Sequence, residues 1–324
     1  MRDIRIPRRS LGAAILLIAA CLLPPVARAE GPAKYVFFFI GDGMGNAQLY
    51  AAEAYRAACE ADREADEARP RKLALRRLPT VGLATTFAAN RLITDSAAAG
   101  TALACGKKTN VGVVAMSADG TTRYRTIAEA AHDAGRSVGI VSTVSLDHAT
   151  PACFYAHSRK RSDYNAIALQ LARSPFAYFG GGGLRGRGDG ELAPLALARQ
   201  NGMTHVTDLA ALRQAPADAR VLCTSGALAG ASAMFYELDR AWLAEHGRTD
   251  AERSQMTLED LTAQGIRLLA DDPDGFFFMI EAGKIDWACH ANDAAAAIHD
   301  TLALDRAVRQ ALAFQQAHPE DTLI

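Results

Sequence analysis

Val36-Phe37-Phe38-Phe39-Ile40-Gly41-Asp42-Gly43-Met44-Gly45 decides the fold of this 324-residue chain. An unbroken apolar run closed by glycines suits a strand buried on both faces of a parallel sheet. Asn46 to Cys59 follows at once, alanine-rich with apolar residues at helical spacing, so strand, Gly-rich turn and helix come in the order of a β–α unit. The glycines also invite a dinucleotide-loop reading. Their spacing departs from that fingerprint, and Asp42 would repel the pyrophosphate the loop should cradle. A carboxylate at the carboxyl end of a parallel strand suits a metal better.

The pattern recurs along the chain. Thr126 to Ala134 reads as helix, Arg136 to Thr143 as strand and Tyr164 to Arg173 as helix. Phe276-Phe277-Phe278-Met279-Ile280 reads as a second buried strand, followed by a long helix from Ala294 to Gln316. This alternation predicts an α/β three-layer sandwich, a mostly parallel central sheet flanked by helices, with ligands outside the carboxyl ends of the strands. Two stretches stand apart from it, a charged one at about 60–77 and a loop-rich one at about 180–255, and both read as surface insertions. Inside the second, Gly180-Gly181-Gly182-Gly183 with Arg185, Arg187 and Asp189 reads as a mobile loop, contact with an anion being the alternative.

Half of the residues are hydrophobic and the net charge is −1, from 35 basic and 36 acidic residues. That balance supports one large core and argues against nucleic acid as a partner. Residues 1–29 read as a signal peptide: Arg2, Arg5, Arg8 and Arg9 precede the apolar run Leu11 to Leu23, and Ala27-Arg28-Ala29 is an A-x-A-like cleavage site. Removal after Ala29 implies a periplasmic or secreted protein with no stable membrane span after processing. Arg8-Arg9 also allows twin-arginine export, and Ile18-Ala19-Ala20-Cys21 allows a lipid anchor through Cys21. Residues 30–324 form the α/β domain. Its cysteines, Cys59, Cys105, Cys153, Cys223 and Cys289, have no C-x-x-C spacing and admit either two disulfides or free thiols.

Besides Asp42, three groups carry chemistry, the last two of them just past strands. Thr94-Asp95-Ser96-Ala97-Ala98-Ala99-Gly100 opens a small-residue helix, where Ser96 is either an ordinary N-cap or a hydroxyl exposed at an anion-binding helix start. Asp286 and His290, four apart, put carboxylate and imidazole on one helical face, suited to zinc, and Glu281 adds an oxygen suited to magnesium. Asp147-His148-Ala149-Thr150-Pro151 offers a hydroxyl and an imidazole. Downstream, His157 and the basic Arg159-Lys160-Arg161 offer phosphate contacts, against the plain alternatives of a core histidine and a solvated face.

Asp42 in its Gly-rich turn, Thr94-Asp95-Ser96-Ala97-Ala98, His148-Ala149-Thr150-Pro151, and Glu281 with Asp286 and His290 together resemble the alkaline phosphatase family in order and approximate spacing. The resemblance covers nearly the whole chain past the signal. It implies a phosphomonoesterase with two Zn2+ and one Mg2+ that works through a phosphoserine on small phosphomonoesters, as a homodimer. It implies Ser96 as nucleophile and Asp42 as ligand both to the zinc beside it and to the magnesium, with Thr150 and Glu281. Asp286 and His290 match ligands of the other zinc. Arg161 matches the phosphate clamp, Arg159 being the fallback, and His148 and Trp287 sit where the family tunes metal preference and rate. No cysteine has the C-x-P-x-R of sulfatases, and a serine rather than a threonine nucleophile favours monoesters over diesters.

The chain stops at Asp321-Thr322-Leu323-Ile324, which reads as the start of a buried strand. In the family that strand leads to an Asp-His pair on the zinc beside the serine, and a later histidine completes the other zinc. None of the three lies in this sequence. The chain therefore reads as a C-terminally truncated member with its last strands missing. Its expected activity is the family's if the remaining ligands suffice, and an inactive fragment binding only metal or phosphate is the alternative.

Overall fold

The computed structural model describes residues 33–60, 71–188 and 193–324. The expected signal peptide, Cys21 and Asp189 lie outside the described residues. Seven strands are formed: β1 (Tyr35–Gly41), β2 (Ser137–Ser142), β3 (Tyr178–Gly181), β4 (Thr204–Val206), β5 (Val221–Thr224), β6 (Phe276–Ala282) and β7 (Thr322–Leu323). They make one sheet in the order β4-β5-β3-β2-β6-β1-β7, parallel at every pairing.

The two phenylalanine-rich strands lie side by side, with Phe37 opposite Phe278 and Ile40 opposite Glu281. Side chains alternate along each strand, so each run feeds both faces of the sheet. Ile40, Phe277 and Met279 join one core cluster with Leu146, Phe154 and Ile167. Tyr35, Phe37, Phe276, Phe278 and Ile280 join the other with Leu261 and Leu304. Two cores separated by one sheet are the three layers that the alternation predicts. Helix Leu258–Leu269 and the long helix Ala294–Ala317 pack on the second face.

The sheet is wider than expected at one edge. Thr204–Val206 and Val221–Thr224, inside the stretch 180–255 that reads as an insertion, are sheet strands β4 and β5. Runs of three and four residues are too short to announce a strand by periodicity, and only pairing with β3 reveals them. The glycine run is likewise no mobile loop, because Gly180 and Gly181 end β3 and residues 181–183 are buried. In the other expected insertion, residues 61–70 lie outside the described residues, while Leu73 is fully buried and its N–H donates to Glu53 Oε1 at 2.9 Å. At the opposite edge β7 pairs with β1, Thr322 buried and Leu323 exposed. All five described cysteines are free thiols. No helix among the described residues is long and apolar enough to cross a membrane.

Candidate active site

Asp42 follows β1, Glu281 is the second-last residue of β6 and Thr150 lies beyond β2, so the three neighbouring central strands deliver oxygen donors to one end of the sheet. Gly43 makes the turn after Asp42 possible. Its φ is +62°, and a Cβ there would stand 2.6 Å from Asp286 Oδ1. This close approach seats Asp286, on helix Lys284–His290, against the first turn.

Ser96 is the first residue of helix Ser96–Cys105, but it does not cap it. Asp95 does, accepting from Ala98 N at 3.0 Å through Oδ1. The Ser96 hydroxyl turns instead to Asp42, donating to Oδ2 at 3.0 Å. Asp95 Oδ2 accepts from Gly112 N at 3.1 Å and from Arg161 Nη1 at 3.0 Å. The other fork of Arg161 donates from Nη2 to His148 Nε2 at 3.0 Å. Arg159 points away, donating from Nε to Gly120 O. Of the two arginines only Arg161 reaches the cleft.

That cleft has a volume of about 680 Å³ and is lined by Asp42, Asp95, Ser96, His148, Thr150, Arg161, Asp286, Trp287 and His290 among others. His148 is buried, and burial together with the charges of Arg161 and Arg185 depresses its pKa to about 3. The ring is therefore neutral, Nε2 accepting from Arg161 and Nδ1 carrying the proton. Trp287 meets it edge-on at 5.9 Å. His290 is exposed, its Nε2 3.5 Å from Asp286 Oδ2.

The donor chemistry fits divalent cations. Glu281 is fully buried and accepts from Ser142 Oγ, yet its Oε1 and the Thr150 Oγ1 have no hydrogen-bond partner. Buried oxygens are rarely left unsatisfied. Burial, then repulsion from Asp42, raises the Glu281 pKa to about 8, and burial with repulsion from Asp286 raises that of Asp42. Three carboxylates that repel one another beside an orphan hydroxyl want a hard cation. Among the described residues no three His, Cys, Asp or Glu side chains are already gathered tightly enough to close a metal shell by themselves.

The model of the family described as alkaline phosphatase matches residues 33–175 and 184–324. This chain belongs to the alkaline phosphatase family. It is 32% identical to the tissue-nonspecific alkaline phosphatase of Gallus gallus, over 91% of this chain and 63% of the relative. It is 33% identical to alkaline phosphatase 4 of Bacillus subtilis, over 68% of this chain and 46% of the relative. The crystal structure of Thermus thermophilus alkaline phosphatase superposes with a TM-score of 0.76 at 29% identity, covering 93% of this chain and 62% of that one. A His-to-Asp variant of the alkaline phosphatase from the Antarctic bacterium TAB5, with Mg bound in its M3 site, gives 0.69 at 28% identity, covering 90% and 76%. The chain thus spans less than two thirds of the length of the curated relatives it matches.

All seven expected site residues of this alkaline phosphatase family member fall at the same end of the sheet. Asp42, Ser96, Thr150, Arg161, Asp286 and His290 line the cleft, and Glu281 lies buried behind it. Sequence reasoning did not find the double duty of Asp95 or the hydrogen bond from Ser142 to Glu281. The second had a signal, since both residues lie at or next to the ends of phenylalanine- or valine-rich strands, but their register is a tertiary fact.

Proposed function

We propose that this chain hydrolyses phosphomonoesters at the Ser96 cleft through a phosphoserine intermediate, with Zn2+ and Mg2+ as cofactors. The observation that carries this reading is the Ser96 hydroxyl, excused from capping its own helix and bonded to Asp42 Oδ2 at 3.0 Å, with Arg161 lining the same cleft. Asp42, Thr150 and Glu281 would hold magnesium, Asp42 and Ser96 one zinc, and Asp286 and His290 the other. When bound, these ions offset the carboxylate repulsion, acidify the serine hydroxyl and a water, and stabilise the entering and leaving oxygens of an in-line displacement.

Arg161 binds two non-bridging phosphate oxygens with its planar fork, which Asp95 and His148 hold in place. Ser96 Oγ gives up its proton to solvent and attacks phosphorus, and the leaving oxygen takes a proton from solvent as its bond to phosphorus breaks, departing as the alcohol. Water then attacks phosphorus, the bond to Ser96 Oγ breaks, the serine regains its proton and inorganic phosphate departs. Helix Ser96–Cys105 presents its free N–H groups to the anion in both steps. His148 and Trp287 adjust rate and metal preference rather than reaction class.

The Asp-His pair and the later histidine of the family's zinc sites are not among residues 1–324, and we propose that robust turnover needs them. Export to the periplasm or medium and a homodimeric state belong to the same reading. Turnover of p-nitrophenyl phosphate with zinc and magnesium, by these 324 residues and by a chain extended with the family's C-terminal segment, tests it. Activity confined to the extended chain is expected. Equal, robust turnover by both sinks the ligand requirement, and turnover surviving Ser96→Ala sinks the nucleophile assignment. Metal and phosphate binding without turnover in either chain favours a binding-only protein.

A further inference from the structure

The glycine run and the arginines after it build a second cavity beside the catalytic cleft. A Cβ on Gly182 would stand 2.5 Å from the Val144 carbonyl oxygen and 2.6 Å from that of Ser232, and Gly183 N donates to Ser232 O at 2.7 Å. The run is glycine because three backbones meet there. Just past it, Asp147 Oδ2 accepts from the backbone N–H groups of Arg185 at 2.8 Å and Gly186 at 2.7 Å. Asp147 is buried and precedes His148, which lines the catalytic cleft, so this carboxylate ties the arginine loop to the wall of the active site.

Arg185, Arg187, Leu228, Ala231 and Ser232 surround a cavity of about 400 Å³. The Arg185 guanidinium lies over the Tyr164 ring, 4.0 Å from its centroid, and donates to the Tyr164 hydroxyl, so its fork is oriented in advance. Among the described residues neither guanidinium has an ion-pair partner, and none that lines the cavity is acidic. Facing them, Ala231 and Ser232 both adopt positive φ, 56° and 57°. Non-glycine residues keep such a conformation only where their surroundings hold it, commonly at ligand sites. The hydrogen bond from Gly183 to Ser232 supplies that hold.

We propose that this cavity is a second anion subsite, taking a phosphate carried on the alcohol part of a phosphomonoester whose reacting phosphate lies at Ser96 and Arg161. It rests on the phosphomonoesterase reading and narrows it to bisphosphorylated substrates. Two unpaired arginine forks recognise phosphate oxygens bidentately, and a second charge-assisted contact of this kind raises affinity by about tenfold or more.

The test measures, by calorimetry with zinc and magnesium present, adenosine 5′-monophosphate against adenosine 3′,5′-bisphosphate in the full chain carrying Ser96→Ala, which leaves both ligands intact. The bisphosphate is expected to bind about tenfold tighter. Adding Arg185→Gln and Arg187→Gln should reduce that advantage to within about twofold and leave monophosphate affinity unchanged. Adding Arg125→Gln and Arg173→Gln, an equal loss of exposed charge elsewhere, should keep the advantage. A bisphosphate advantage that is absent at the outset, survives the first pair or falls equally with the second overturns the proposal. Arg161→Gln checks the underlying reading separately. If monophosphate binding ignores that change while the bisphosphate advantage still follows Arg185 and Arg187, the catalytic assignment falls and the anion subsite stands.

Discussion

Arg161 Nη1 donates to Asp95 Oδ2 at 3.0 Å, so the residue that caps the nucleophile's helix also anchors the phosphate clamp. One carboxylate thereby fixes the distance between the start of helix Ser96–Cys105 and the guanidinium. Asp95→Ala should lower unfolding free energy by about 1–3 kcal/mol, combining a lost cap with lost charge-assisted hydrogen bonds. Asp95→Asn keeps a capping oxygen and should recover roughly half of that, as urea unfolding would show.

Ser96→Ala should behave differently. Its hydroxyl does not cap the helix, so stability should change by no more than about 0.5 kcal/mol, whereas a lost cap costs about 1 kcal/mol. Acid-quenched mass spectrometry of the chain extended with the family's C-terminal segment should find phosphate on Ser96, and none when that chain carries Ser96→Ala. A stability loss near that of a missing cap would contradict the geometry.

Metal-free stability should fall as pH rises. Glu281 is raised from an ordinary value of 4.5 to about 8 by burial and by its neighbouring carboxylates. The folded state holds a proton there that the unfolded state releases, so stability is highest below about 4.5 and declines as pH climbs through about 8. Thermal melts at pH 5 and 8 should differ for the chelated parent and converge when Mg2+ is added. Glu281→Gln should flatten the pH dependence and abolish the Mg2+ response.

His157 should lose its contribution in the same direction, as pH rises, while its partner Glu129 has the opposite sign. Burial alone would lower its pKa, but Nε2 faces Glu129 Oε1 and Nδ1 faces the Ala115 carbonyl, both at 2.9 Å, and these acceptors raise it. Glu129 is correspondingly lowered, despite burial, by His157 and the Thr126 backbone. The histidine's contribution is full below its unfolded value of 6.5 and fades as pH rises through the folded value. Glu129 contributes above 4.5 and loses its effect as pH falls through its own lowered value. His157→Gln should therefore cost most between about pH 4.5 and 6.5 and progressively less above, in urea melts run across that range.

Much of the fold was legible because long buried strands and amphipathic helices carry their own period. The runs at 36–40 and 276–280 lie in β1 and β6, and the helix expected over Tyr164–Arg173 has those bounds. The edge strands β4 and β5 were not legible, since three or four residues carry too little alternation to separate a strand from a loop. The glycines at 180–183 misled for a related reason. Glycine serves a mobile turn and a crowded backbone crossing equally well, and only the neighbours of the missing Cβ tell them apart.

The sequence by itself determined the inventory: a parallel α/β sheet, oxygen donors placed after strands, a serine at a helix start, and an arginine at the right remove. Local chemistry acts over a few residues, and those features are local. Tertiary structure decided which of two equal claims each residue fulfilled. Asp95 rather than Ser96 took the cap, Arg161 rather than Arg159 took the cleft, and Arg185 with Arg187 closed a cavity instead of trailing in a loop. Those choices depend on register between strands more than a hundred residues apart, where a hydrogen bond of about 3 Å selects one side chain and leaves its neighbour to solvent.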